Sequence, residues 1–155
     1  MAYLRVSFNP LANCYAYAAN CLQPAGNNRA IPGRQSGHGV TPPYNAATLT
    51  QACINDGCQA VAAGNTFNVP PAAPANHHLI AVMIAANGTD YHFYRQGPLT
   101  AAWTHKPGPH DASNYDGGLV EIGADLSAAN HTIGHNTYVF VCYLAVPTNG
   151  LQVAG

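Results

Sequence analysis

Seven consecutive apolar residues, Leu79-Ile80-Ala81-Val82-Met83-Ile84-Ala85, constrain this chain more than any other feature. A run of that length, with no polar residue in alternation, is the pattern of a strand buried on both faces. Such a strand needs strands beside it and covering elements above and below. The residues that follow supply the neighbours. Asn87-Gly88 is a strong hairpin signal and leads into 90–96, where Tyr91, Phe93 and Arg95 alternate with His92 and Tyr94. Gln96-Gly97-Pro98 turns the chain into 100–105. A second long apolar segment, 137–146, stops at Pro147, which cannot donate to a ladder.

The first half of the chain reads as helix and loop. Asn13 is a favoured N-cap, and Cys14, Ala18, Cys21 and Leu22 follow helical spacing, predicting a helix from Cys14 with one buried stripe. A second helix is expected over 45–54, with Ala46, Leu49, Cys53 and Ile54 on one face and Gly57 just past its end. Residues 23–43 and 64–76 are rich in Gly and Pro and read as loops. Short strands are expected over 3–8, 58–63 and 119–122. Helices first and an antiparallel meander second predict a single α+β domain over 1–155, with the helices on one face of an antiparallel sheet.

Charge narrows the function. Only 7% of the residues are charged, against about 25% in ordinary domains, and the net charge is −1. That gives no footprint for nucleic acid, and no segment approaches the length of a membrane span. Seven of the eleven charged residues fall within 90–125, which marks that stretch as a working surface. Residues 1–10 lack the apolar run of a secretory signal, which predicts a cytoplasmic protein or one exported without such a signal. The five cysteines leave one unpaired in an oxidising compartment; Cys14 is the expected free thiol, and Cys53 and Cys58 are near enough in sequence to bridge. Nothing in the pattern speaks to the oligomeric state.

A thiol at the first helical position faces unpaired N–H groups and the positive end of the helix dipole, both of which favour thiolate. A nucleophilic Cys14 needs a base, and the base needs a third group to orient it. Of eight histidines, His38, His77, His78, His110, His131 and His135 sit among turn residues and read as exposed loop positions. His92 lies on a strand directly after the hairpin, where the sheet would fix its ring. His105 follows thirteen residues later on the next strand and is the expected orienting group. Asn114 and Asp116 are the rival third members, Asn114 being the second choice. The backbone N–H of Cys14, with Asn9 or Asn13, would form an oxyanion hole.

This order, a thiol at a helix start, then His on a strand, then a polar residue on the next strand, resembles the papain-like cysteine hydrolases. The compact NlpC-type peptidases and CHAP-type amidases are the nearest in form, on Asn13-Cys14-Tyr15-Ala16-Tyr17, Asp90-Tyr91-His92-Phe93-Tyr94-Arg95 and Trp103-Thr104-His105-Lys106-Pro107-Gly108. The NlpC type places a His as third member about a dozen residues after the base, which His105 matches. The resemblance implies a papain-like fold, no cofactor, and a peptide or amide substrate such as bacterial cell-wall peptide. The Gly-His-Val around the NlpC base is missing here, as are wall-binding repeats. Zinc is not expected, since the chain has no Cys-x-x-Cys and no His-Glu pair. The competing reading is a binding module without catalysis, suited by low charge, nine tyrosines and long loops.

Overall fold

The computed structural model describes residues 11–61, 66–97 and 101–155. The strand expected over 3–8, the start of 100–105 and the candidate donor Asn9 lie outside them. Within them the fold is α+β, built on an antiparallel six-stranded sheet. The apolar run becomes β2 (His77–Ala85), the middle strand, paired on one side with β3 (Tyr91–Gln96) and on the other with β6 (Asn136–Pro147). The order is β1-β6-β2-β3-β4, where β1 is Gln59–Ala60 and β4 is Trp103–His105; β5 (Thr132–Ile133) folds back on β6. Met83 sits opposite Phe140 while Val82 sits opposite Cys142, so Val141 is an extra residue that bulges β6.

Alternation along β2 divides the core in two, because successive side chains point to opposite faces. Ile80 and Val82 join Tyr15, Leu49, Phe93 and Leu144 beneath the helices. Leu79, Ala81 and Met83 join Tyr94, Trp103, Leu126 and Tyr143 on the other face. The helices therefore lie on one face, as expected, and residues from 115–131 help to close the other.

Helix α1 (Cys14–Ala18) is shorter than its sequence stripe. Asn13 caps it as expected, its Oδ1 accepting from the Ala16 N–H at 3.2 Å. Asn20 then adopts φ +53, and the Cys21 N–H donates to the Ala16 carbonyl at 2.8 Å while that of Asn20 donates to Tyr17. That is a Schellman ending with Asn at the left-handed position, and it turns Leu22 out to 44% exposure. Helix α2 (Ala46–Asn55) ends in the same way at Gly57, φ +111, and keeps Leu49 and Cys53 buried. Buried Asp56 ties the two helices together. Its Oδ2 accepts from the Tyr15 hydroxyl at 2.8 Å and the Gly33 N–H at 2.7 Å, and its Oδ1 from the Ser36 N–H at 3.0 Å.

Other expectations change in extent. The strand expected over 58–63 is β1, two residues long. Residues 119–122 form no strand: Leu119 has φ +62, and a single bridge joins Tyr115 to Glu121. All five cysteines are free, so Cys53 and Cys58 are not bridged here. No helix among the described residues is long and apolar enough to cross a membrane.

Candidate active site

Strand β4 pairs with β3 from Tyr94 onward and leaves the edge of β3 open before it. The start of α1 fills that gap. Cys14 Sγ lies 4.0 Å from the carbonyl oxygen of Tyr91, the residue before His92, and the Phe93 N–H approaches the same sulfur. The thiol thus stands at the sheet edge, where a neighbouring strand would otherwise run.

His92 and His105 meet diagonally across the β3–β4 pair, on the face opposite the helices. His92 Nε2 is 2.7 Å from His105 Nδ1, and His105 Nε2 is 2.8 Å from the Tyr115 carbonyl oxygen. A carbonyl only accepts, so His105 Nε2 carries the hydrogen and its Nδ1 is the acceptor. His92 Nε2 must then donate, which leaves Nδ1 as the basic nitrogen of His92. Both rings are held neutral. Burial lowers the pKa of His92 well below 6.5, reinforced by His105 and His131, and burial lowers that of His105 against the Tyr115 hydrogen bond. Tyr94 stacks on His105 with ring centres 4.8 Å apart and stands edge-on to His92 at 5.0 Å. The Tyr115 carbonyl is held by its own loop, in which Asp116 accepts from the N–H groups of Gly118, Val120 and Asn130.

Cys14 and His92 line one cleft of about 850 Å³, together with Asn13, Arg29, Asp90 and Tyr138. The Asp90 carboxylate accepts from the Tyr138 hydroxyl at 2.7 Å and the Tyr91 N–H at 2.8 Å. The expectation of a thiolate-favouring site is overturned. Burial, helped by the charge of Asp90, pushes the Cys14 thiol up to about 12, and the N–H groups of Phe93, Tyr15 and Cys14 only partly offset this. A helix of five residues has little dipole to set against burial. Cys14 therefore rests as a neutral thiol.

The other candidates separate. Asn114 donates its amide to Glu121 at 3.0 Å. Asn13 reaches the cleft, but its Nδ2 donates to the Ala30 carbonyl at 2.7 Å, leaving one amide hydrogen for any other acceptor. His78 is buried on β2 rather than exposed in a loop, its Nε2 donating to the Ala18 carbonyl at 2.8 Å. His131 is also engaged, between the Tyr94 hydroxyl and the Leu126 carbonyl. Among the described residues no three His, Cys, Asp or Glu side chains converge to hold a metal ion. Sequence reasoning missed Tyr115, which contributes a main-chain oxygen and so leaves no side-chain signal. It also missed the Asp90–Tyr138 pair, for which an acid directly before the His92 strand is the one available cue.

Comparison with known protein families, curated proteins and solved structures finds no match.

Proposed function

We propose that the chain is a cysteine hydrolase acting on a peptide or amide bond, with Cys14 as nucleophile, His92 as base and His105 as orienting group. The observation that carries this reading is the chain from the Tyr115 carbonyl through His105 to His92. It leaves an unprotonated Nδ1 on a ring that shares a cleft with the thiol.

Because the thiol and the imidazole both rest neutral, the proton moves during attack. The Cys14 sulfur bonds to the substrate carbonyl carbon as its proton passes to His92 Nδ1, and the carbonyl oxygen becomes an oxyanion. In this reading the Cys14 N–H and the remaining Asn13 amide hydrogen receive that charge. The oxyanion collapses, the C–N bond breaks, and His92 returns the proton to the leaving amine. Water, deprotonated by His92, then attacks the thioester carbonyl; the C–S bond breaks, the acyl group leaves as a carboxylic acid, and His92 returns the proton to the Cys14 sulfur. By accepting from His92 Nε2, His105 keeps His92 Nδ1 as the nitrogen that takes up and returns the proton, and stabilises the transient imidazolium. The arrangement resembles that of papain-like hydrolases of the NlpC and CHAP types, and the resemblance suggests bacterial cell-wall peptide as substrate.

One observation favours the second reading, a binding module without catalysis: a resting thiol pushed up to about 12. Mixing the protein with p-nitrophenyl acetate separates the two. A hydrolase releases a burst of nitrophenolate equal to the protein concentration and carries an acetyl group on Cys14, located by peptide mass spectrometry. A binding module gives no burst and no Cys14 adduct.

A further inference from the structure

Asp90 is the one carboxylate among the described residues that lines the Cys14 cleft. Two donors fix it there, the Tyr138 hydroxyl on Oδ2 at 2.7 Å and the Tyr91 N–H on Oδ1 at 2.8 Å. Both are neutral, so they orient the carboxylate without cancelling its charge, and they leave lone pairs on its oxygens open. Among the described residues no lysine, arginine or histidine pairs with it. The main chain of Tyr91 sets this charge beside the thiol. In a strand the N–H and C=O of one residue point to the same edge. Those of Tyr91 face the open edge of β3, where the N–H meets Asp90 and the carbonyl oxygen lies 4.0 Å from Cys14 Sγ.

We infer that Asp90 is an ammonium-binding position beside the Cys14 thiol, so that the preferred substrate carries a primary amine close to its scissile carbonyl. The inference deepens the hydrolase reading and rests on it. An ammonium donates to the open lone pairs of the carboxylate through charge-assisted hydrogen bonds. It also acts on the nucleophile. The charge of Asp90 adds to the burial that holds the Cys14 thiol up at about 12. A cation seated on Asp90 offsets that charge, so the group that is selected also eases ionisation of the thiol. Arg29 lines the same cleft, but it is exposed, and water and salt screen its charge more than that of half-buried Asp90.

Three methanethiosulfonates test this: the cationic 2-aminoethyl, the neutral propyl and the anionic 2-sulfonatoethyl reagents. Each passes its thioalkyl group to a thiolate and releases methanesulfinate, so the three differ mainly in charge. Rates at Cys14, read by peptide mass spectrometry, are divided by those at the neutral thiol N-acetylcysteinamide. The normalised rate of the cationic reagent should exceed that of the propyl reagent about 5-fold at low salt, with the anionic reagent slowest, and the three should converge as salt is added. Asp90→Asn keeps an oxygen for the Tyr91 N–H and an amide hydrogen for the Tyr138 oxygen, and should remove the cationic preference. The salt series decides in the parent protein even where that variant does not fold. No cationic preference in the parent, a preference that salt leaves unchanged, or one that survives Asp90→Asn overturns the ammonium position while leaving the hydrolase reading intact. Failure of Cys14 to react with any of the three, under conditions that modify half-buried Cys142, overturns both.

Discussion

His92 Nε2 donates to His105 Nδ1 across 2.7 Å, and that bond determines which nitrogen of His92 is left unprotonated. With the Tyr115 carbonyl anchoring the far end, each ring is restricted to the neutral tautomer with hydrogen on Nε2. Nitrogen-15 NMR of the histidine side chains at pH 7 should show both rings as neutral Nε2–H tautomers. A ring with hydrogen on Nδ1, or one carrying two hydrogens, would contradict the arrangement.

The same burial sets the pH dependence of activity. Because the pKa values of His92 and His105 lie below 6.5, the acid limb of kcat/KM should fall below that value. No alkaline limb from Cys14 should appear near pH 9, since its thiol titrates at about 12. His92→Ala should lower the acylation rate by roughly 10²–10⁴-fold. His105→Ala should cost less and change the shape of the profile, whereas Asn114→Ala should follow the parent protein. Profiles of the three variants on one ester substrate make the comparison.

Stability should also fall in mild acid. Burial lowers the pKa of His78 to about 4, from 6.5 in the unfolded chain. Between those values the unfolded state binds more protons, so stability present above pH 6.5 is lost as pH falls towards 4. His78 alone contributes roughly 3 kcal/mol to that loss, and His92, His105 and His131, whose pKa values are also lowered, add to it in the same direction. Urea unfolding at pH 7, 5.5 and 4.5 measures the slope. His78→Gln keeps a donor for the Ala18 carbonyl and should flatten it.

The account of the helix pair can be tested without activity. Asp56→Ala leaves the Tyr15 hydroxyl and the N–H groups of Gly33 and Ser36 without their acceptor. The expected cost is about 3 kcal/mol in urea unfolding. A loss under about 1 kcal/mol would mean that water replaces the carboxylate at little cost.

What could be read from the sequence was mostly local. The run 79–85 acts through its own apolar side chains, the Gly88 turn and Pro147 through backbone chemistry at their own positions, and β2, β3 and β6 follow them closely. Asn13 marks the start of α1 for the same reason. The end of α1 was hidden because Asn20 carries no strong signal for the left-handed region, unlike Gly57 after α2. The state of the Cys14 thiol depends on burial against Tyr91 and on the charge of Asp90, both distant in sequence, so helix position alone suggested the opposite direction. His92 and His105 were legible as neighbours because two short strands that follow one another in the chain pair antiparallel. The role of Tyr115 was not, because a main-chain carbonyl looks the same at every residue.

The central claim is that His92 takes the proton of Cys14 during acyl transfer. Stopped-flow measurement of the nitrophenolate burst in Cys14→Ala, His92→Ala and the double variant tests it most directly. If the two residues act as a unit, either single substitution abolishes most of the burst rate and the double variant is hardly slower than the singles. A burst in His92→Ala at the parent rate, with acetyl on Cys14, would contradict the claim.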